Sequence, residues 1–142
     1  MQVSVKRIDT SLPMPQYQTE GAVAFDLYAR EDTTIKSKQI GLIPSNLIVE
    51  TPAGYMLTVV PRSSTPKRKG LSIPHGIGVI DQDYCGPEDE VLIQLYNFTD
   101  SPVTVERGER IGQAAFVRVD KAELDEVEEV NSPTRGGVGS TG

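Results

Sequence analysis

The stretch YMLTVVPRSSTPKRKGLSIPHGIGVIDQDY, residues 55–84, decides the fold because it holds two short apolar runs separated by turn residues. The runs YMLTVV and HGIGVID have strand length, and the Pro, Gly and Ser residues between them leave no room for a long helix. The same alternation continues on both sides of this stretch. It recurs in VSVKRI, IGLIPSNLIVE, EVLIQLYNF, PVTV and QAAFVRV.

These runs predict an all-β protein, a sandwich or barrel with many tight turns. The chain of 142 residues has an ordinary length for one compact domain, and no domain-sized linker interrupts it. We therefore expect residues 1–130 to form a single β domain. Residues 131–142, NSPTRGGVGSTG, are rich in glycine and poor in apolar side chains, so we expect a flexible tail.

One short helix is predicted near residues 65–70. Thr65 can cap its start, Pro66 suits the first helical position, and Gly70 can end it after a single turn. Ser63 and Ser64 would then lie beside a helix N-terminus, where unpaired N–H groups attract anions. A simple helix cap with incidental serines is the alternative.

The charge distribution points to a small polyanionic ligand. The chain has a net charge of −6, but residues 51–80 contain no acid and include Arg62 and the basic run Lys67–Lys69. Residues 120–130, DKAELDEVEEV, hold six acids and one base, so this segment carries most of the imbalance. The basic segment suits a phosphate-bearing small molecule, and a solvated basic loop is the alternative.

Composition also excludes several classes of protein. The overall acidity argues against a general nucleic-acid binder. The apolar runs are too short for a bilayer span and the first residues have no signal-peptide core, so we expect no membrane partner and a cytoplasmic location. The chain has a single cysteine, Cys85, and a single histidine, His75, which rules out an internal disulfide and makes a structural zinc site within the chain implausible.

Five segments carry a more specific signal when taken together in order. They are residues 22–29 (AVAFDLYA), 61–64 (PRSS), 78–86 (GVIDQDYCG), 107–113 (RGERIGQ) and 135–142 (RGGVGSTG). This series resembles the five motifs of the homotrimeric dUTP pyrophosphatase (dUTPase) family, from residue 22 to the last residue.

The resemblance implies a jelly-roll-like β subunit, the dUTPase-like β-clip, and a homotrimer whose active sites contain segments of all three chains. It implies hydrolysis of dUTP to dUMP and pyrophosphate with Mg²⁺, which limits uracil in DNA and supplies dUMP for thymidylate synthesis. Leu124, Val127 and Val130 have helical spacing. Because the family has an extended crossing strand in this position, we expect an extended segment instead.

The resemblance also assigns two roles in the third segment. Asp81 would deprotonate the water that attacks the α-phosphorus and contact the sugar 3′-hydroxyl. A carboxylate is a weak base, so positioning and charge neutralisation must supply most of the rate. Tyr84 would pack under the deoxyribose and exclude a 2′-hydroxyl. The structural alternatives are a turn or surface carboxylate for Asp81 and an ordinary half-buried strand residue for Tyr84.

The remaining predicted contacts concern the base, the phosphates and the metal. Mg²⁺ would be chelated mainly by the triphosphate, and Asp26 would reach it through water or be purely structural. Arg110 would bind phosphate or hold the subunit interface. The expected substrate-binding residues are Arg62, Ser63, Ser64, His75, Gly78, Val79, Ile80, Gln113, Arg135, Gly137, Ser140 and Thr141.

The sequence departs from the family pattern in three places. Val138 stands where the family has an aromatic residue that stacks on uracil, and the tail is shorter. Ser64 replaces the usual glycine, and the longer loop that follows places His75 where the uracil hairpin begins. Residues 86–90 (GPEDE) add a turn that we expect on the surface, with its three acids away from the phosphates.

Two other functions remain open from the sequence. A deaminase of the same fold would act on dCTP, although GVIDQDY matches the uracil-specific pyrophosphatases. A non-catalytic nucleotide sensor would keep the fold and bind dUTP without turnover. Release of pyrophosphate or ammonia separates these three activities.

Overall fold

The computed structural model describes residues 1–137, and it confirms the all-β prediction with one short helix. All of its strand pairings are antiparallel. In chain order the elements are β1 (Val5–Arg7), β2 (Phe25–Tyr28), β3 (Thr33–Ile35), β4 (Ile40–Pro44), β5 (Leu47–Val49), β6 (Tyr55–Pro61), α1 (Thr65–Lys69), β7 (Leu71–Ser72), β8 (Gly78–Ile80), β9 (Leu92–Asn97), β10 (Val103–Val105) and β11 (Arg110–Arg118).

The strands form a sandwich-like fold around one apolar core. One sheet has the order β2-β11-β6-β8 and another has the order β4-β9-β7, while β1-β5 and β10-β3 are two-stranded. In β9, alternate residues point inward, as a strand with one covered face requires. The largest fully buried side chains include Leu27, Ile35, Ile43, Leu47, Leu57, Leu71, Ile93, Leu95 and Ile111.

Strand β6 is the element that positions the candidate site. It lies between β11 and β8, so two of the five segments are hydrogen-bonded to it. On one side Val60 is opposite Gln113, and on the other Leu57 is opposite Ile80. The residues that follow Pro61 therefore lie at one end of this strand, and the residues that follow Ile80 lie at the other.

The short helix α1 forms where the sequence predicts it, but its N-cap was predicted wrongly by one residue. Ser64 is the N-cap, while Thr65 is the first helical residue and is buried. Because the Thr65 side chain packs inside, the exposed Ser64 takes the cap position, and no side-chain cap hydrogen bond forms there. Gly70 ends the helix with φ of 67°, in the left-handed conformation that glycine tolerates.

The segment after β11 contains neither helix nor strand in residues 119–137. Leu124, Val127 and Val130 are largely exposed, so their helical spacing does not produce a helix. The segment also pairs with no strand of the same chain up to residue 137, so the extended crossing strand that the family resemblance implies stays a prediction. The flexibility of the tail stays a prediction. Helix α1 spans five residues, and no helix in residues 1–137 could cross a membrane.

Candidate active site

The first cluster of site residues lies at the C-terminal end of β6 and is built on Asp26. Its Oδ1 is 3.2 Å from Arg62 Nε, and its Oδ2 is 3.0 Å from Arg110 Nη1. Asp26 is only 6% exposed, although it lies on the face of β2 opposite to the core residues Phe25 and Leu27. A buried carboxylate needs charged partners, and the two guanidinium groups supply them. The ion pairs thus fix both arginines in place.

Three further polar side chains lie at the same end of β6. Ser63 and Ser64 follow Arg62 directly and are exposed. Gln113 is half-buried on β11, and its amide Nε2 is 3.4 Å from the carbonyl oxygen of Pro61. Arginine, serine and glutamine can all donate hydrogen bonds to anionic oxygens. We call this cluster, made of Asp26, Arg62, Ser63, Ser64, Arg110 and Gln113, the arginine end.

The second cluster lies at the opposite end of β6. Asp81 follows Ile80, the last residue of β8, and is exposed. Beside it, Gln82 Nε2 donates to the carbonyl oxygen of Tyr55 at 2.8 Å, which ties the loop to the start of β6. We call this region the aspartate end. A cavity of about 330 Å³ opens there, lined by Tyr55, Met56, Asp81, Gln82, Asp83, Val119 and Lys121.

The two ends are far apart within one chain. Because Ile80 is opposite Leu57, Asp81 lies level with Met56, whereas Arg62 follows Pro61. Six residues of extended strand separate these levels, which corresponds to about 20 Å at the usual rise per residue. A single chain therefore does not bring Asp81 together with the predicted phosphate-binding residues.

The predicted base-reading hairpin lies between the two ends. Gly78 is opposite Val59, and a Cβ atom at Gly78 would lie 3.1 Å from the Val59 carbonyl oxygen, so β8 can approach β6 this closely because residue 78 has no side chain. His75 is exposed, and its Nδ1 lies 2.9 Å from the carbonyl oxygen of Ile77. A pocket of about 170 Å³ is lined by Val59, Ile73, His75, Gly78, Val79, Ile80, Leu92 and Gln94.

The turn at residues 86–90 differs from the surface turn with three acids that the sequence predicts. Glu88 is exposed, but Glu90 is only 9% exposed. Arg30 donates to the Glu90 carboxylate from Nε and Nη2, each at 2.9 Å, and so compensates its burial. The Glu90 carboxylate in turn raises the pKa of Arg30 above its ordinary value through this hydrogen bond. The prediction was therefore wrong for Glu90.

Tyr84 contacts this buried residue. Its ring is 38% exposed, and its hydroxyl donates to the carbonyl oxygen of Glu90 at 3.1 Å. Tyr84 N also donates a hydrogen bond of 3.4 Å to the Asp81 carbonyl oxygen, which closes the turn that follows Asp81. Tyr84 thus lies in the loop between β8 and β9 and not in a strand, and its contact with the deoxyribose stays a prediction.

Part of the predicted site belongs to the tail. Arg135 and Gly137 are exposed and lie in a segment without helix or strand. Val138, Ser140 and Thr141 lie outside the described residues. The contacts of the tail with phosphate stay predictions.

The side chains in residues 1–137 include no group of three or more His, Cys, Asp or Glu that could hold a metal ion. Asp26 has oxygen donors of the kind that Mg²⁺ prefers, but both of its oxygens face guanidinium groups. A direct bond from Asp26 to a dication would place that ion against two other cations. The contact through water stays a prediction.

The sequence did not predict the structural contacts of three residues, Arg30, Gln82 and Glu90. Gln82 gives no signal, because its partner is a main-chain oxygen 27 residues earlier. Glu90 offers a weak one, since it is the acid directly before the apolar run of β9.

Comparison with known proteins identifies the class. The dUTPase family model matches residues 10–142. The deoxyuridine 5'-triphosphate nucleotidohydrolase of Dictyoglomus turgidum is 38% identical to this chain, over 100% of the chain and 99% of the relative. The crystal structure of the dUTPase from Streptococcus mutans has 31% identity and a TM-score of 0.77, over 84% of this chain and 98% of that one.

A third match concerns the fold alone. The dUTPase of Staphylococcus bacteriophage 80alpha, solved with dUPNHPP, is 23% identical and has a TM-score of 0.87, covering 99% of this chain and 98% of that one. These matches place the protein among the nucleotide hydrolases. The chain belongs to the dUTPase family, and its reaction is the hydrolysis of dUTP.

Proposed function

We propose that the protein converts dUTP to dUMP and pyrophosphate in active sites shared between the chains of a homotrimer, with Asp81 activating the attacking water. The separation of the two ends of β6 carries this proposal. A general base must lie within hydrogen-bond reach of its water, and that water must lie next to the α-phosphorus. Since the phosphate donors of the same chain are about 20 Å away along the strand, we assign them to a neighbouring chain.

Such an arrangement favours a closed ring of chains. Contact between the aspartate end of one chain and the arginine end of the next joins two different surfaces, and repeated contacts of this kind close into a ring when the rotation allows. The single chain also exposes Ile40, Leu42, Val79 and Leu92 by 38–53%. Exposed apolar residues in such number are typical of surfaces that associate.

In the proposed reaction, the Asp81 carboxylate accepts a proton from water while the water oxygen attacks the α-phosphorus. The bond from the α-phosphorus to the bridging oxygen breaks, and pyrophosphate leaves with that electron pair. Asp81 is exposed at the end of β8, where water and a nucleotide can reach it. Because an aspartate is a weak base, its position next to the phosphorus contributes more than its basicity.

The arginine end binds the triphosphate in this proposal. Arg62, Ser63, Ser64 and Gln113 donate to its oxygens, and Asp26 keeps Arg62 in place beforehand. Donors that are already oriented stabilise the charge that develops on phosphate without further rearrangement. The tail of a third chain completes the site through Arg135, Gly137, Ser140 and Thr141. Arg110 is held by the same carboxylate and lies next to this surface.

The hairpin residues Gly78, Val79 and Ile80 read uracil through main-chain groups, with His75 beside them. Tyr84 lies against the deoxyribose and leaves no room for a 2′-hydroxyl. The pocket at β8 adjoins these residues and has room for part of a planar base.

Mg²⁺ binds with the substrate in this proposal, held mainly by triphosphate oxygens and retaining much of its water. When bound, it supplies charge neutralisation at the phosphates. By this reaction the protein limits uracil incorporation into DNA and supplies dUMP for thymidylate synthesis, in the cytoplasm.

Mixing two inactive variants tests the shared site. Chains with Asp81→Asn retain the arginine end, and chains with Arg62→Ala retain the aspartate end. After joint refolding in equal amounts, we expect about a quarter of wild-type activity, the fraction of neighbouring pairs with two intact halves under random mixing. Variants mixed without refolding are the control. No recovered activity in verified mixed trimers would show that the site lies within one chain.

A substrate panel separates this reaction from its alternatives. Pyrophosphate release is measured with dUTP, UTP, dCTP and dTTP, with and without Mg²⁺. We expect a high rate of Mg²⁺-dependent pyrophosphate release with dUTP and with none of the other three nucleotides. Ammonia from dCTP would instead indicate a deaminase, and binding of dUTP without turnover would indicate a sensor.

A further inference from the structure

The turn at residues 86–90 connects Tyr84 to a buried ion pair. The Tyr84 hydroxyl donates to the Glu90 carbonyl oxygen, so the ring is tethered at its outer tip. The turn between these residues is itself closed, because Gly86 N donates to Asp89 Oδ2 at 2.7 Å and Asp89 N donates to the Gly86 carbonyl oxygen at 3.1 Å. The position of the Glu90 carbonyl oxygen therefore determines where the Tyr84 hydroxyl forms its hydrogen bond.

Glu90 is fixed by two other parts of the chain. Arg30 binds its carboxylate through two nitrogens, and Asn46 N donates to Glu90 Oε1 at 2.8 Å. Asn46 is 2% exposed and has a positive φ of 69°. A paired and buried carboxylate with three donors is held far more rigidly than a surface acid.

The same network continues toward the fourth segment. The Asn46 side chain donates to the Asp9 carbonyl oxygen and accepts from Asp9 N. The Asp9 carboxylate binds Arg107 Nη2 at 2.6 Å. A chain of hydrogen bonds thus connects Arg107, at the start of the fourth segment, with Glu90.

We propose that Glu90 is a positioning residue for sugar discrimination: its buried ion pair with Arg30 holds the carbonyl group that fixes the Tyr84 ring. The inference rests on the proposed function, in which Tyr84 excludes a 2′-hydroxyl. Steric exclusion requires a ring that cannot move aside, because a ring free to shift by the size of one hydroxyl would admit UTP. Tyr84 is partly exposed and so relies on this tether.

The test compares three single substitutions. Glu90→Gln keeps the shape of the side chain and removes its charge. Glu88→Gln makes the same charge change at an exposed position of the same turn and is the matched control. Tyr84→Phe keeps the ring and the ion pair but removes the tether. For each protein, kcat and KM are measured with dUTP and with UTP, and hydrogen exchange of residues 81–90 is measured without nucleotide.

We expect the ratio of kcat/KM for dUTP to that for UTP to fall about tenfold in Glu90→Gln and in Tyr84→Phe, the size of effect that one ordering hydrogen bond can have. The change should come mainly from a lower KM for UTP, whereas general damage would lower kcat/KM for both substrates alike. Exchange in residues 81–90 should accelerate in Glu90→Gln and remain at the wild-type rate in Glu88→Gln.

An unchanged ratio in Tyr84→Phe would overturn the inference, even if Glu90→Gln fails to fold. An equal loss of discrimination in Glu88→Gln would also overturn it, since the effect would then come from charge alone. Failure of the proposed function is visible separately, because the wild-type protein would then not prefer dUTP to UTP.

Discussion

The two ends of β6 hold their charged groups in different ways. At the arginine end, the buried Asp26 carboxylate binds two guanidinium groups, so these charges are part of the folded framework. At the aspartate end, Asp81 is exposed and is placed by the main chain of β8, with Gln82 tying the loop to Tyr55. A change at the arginine end should therefore affect both stability and activity, while a change of Asp81 should affect activity alone.

The largest expected effect is on catalysis in Asp81→Asn. Loss of the base should lower kcat by about 10²- to 10⁴-fold, the range for a general base. KM for dUTP and the midpoint of urea unfolding should stay at wild-type values, because the side chain is exposed and the two residues have similar shape. Steady-state pyrophosphate release and urea unfolding measure this. Asp100→Asn, an exposed aspartate outside both ends of β6, is the control, and near-normal turnover in Asp81→Asn would remove the base from the mechanism.

Asp26→Asn should produce the next largest effect, this time on folding. Breaking a buried ion pair costs 3–5 kcal/mol, and we expect about 2–3 kcal/mol here because the Arg62 and Arg110 side chains are 31% and 40% exposed. KM for dUTP should rise as well. Urea denaturation measures the free energy of unfolding of each variant. Asp100→Asn, which breaks a surface pair with Lys38, is the matched control, and equal stability losses would contradict a special role for Asp26.

Gly78→Ala should have a smaller effect, centred on the hairpin between the two ends. The new methyl group would lie 3.1 Å from the Val59 carbonyl oxygen, so β8 must shift slightly. We expect a stability loss of about 1 kcal/mol and a several-fold higher KM for dUTP with little change in kcat. Gly21→Ala meets no atom within 4 Å and serves as the control. A wild-type KM in Gly78→Ala would argue against base recognition by this hairpin.

The smallest effect concerns Asp9, and its dependence on pH identifies its origin. The hydrogen bond from Arg107 lowers the pKa of Asp9 well below its ordinary value of 3.8. A lowered pKa in the folded state means that the ionised carboxylate stabilises the fold above that value, and that this contribution is lost as the pH falls through and below it. The difference in melting temperature between wild type and Asp9→Asn should be constant from pH 7 to 5 and shrink toward pH 3. A difference that grows on acidification would have the wrong sign.

The sequence predicts most strands because their apolar runs are unambiguous. It does not reveal β2, where Asp26 interrupts an otherwise apolar run, β3, whose residues are mostly polar, or β7, which has only two residues. The apolar run at residues 40–50 divides into β4 and β5 at Ser45–Asn46, where Asn46 takes a left-handed conformation. Local composition does not predict this corner, because the contacts that hold it come from distant residues, Asp9 and Glu90.

The candidate site was predictable as a set of residues and not as an arrangement. The five segments identify Asp81, Tyr84 and Arg62 as candidate site residues, because the order and composition of the segments can be read from the sequence. The distance between Asp81 and Arg62 depends on the register of β8 against β6, and the role of Glu90 depends on Arg30, 60 residues away. The strand register and the ion pair of Glu90 are both tertiary contacts, and no local sequence pattern predicts them.

In the proposed trimer, the division of Asp81 and Arg62 between opposite ends of one strand would make activity depend on protein concentration. A single chain would carry only one part of each of two active sites. Dilution below the dissociation constant of the assembly would therefore abolish turnover, even though every chain stays folded. The observed rate would then fall more steeply than in proportion to enzyme concentration.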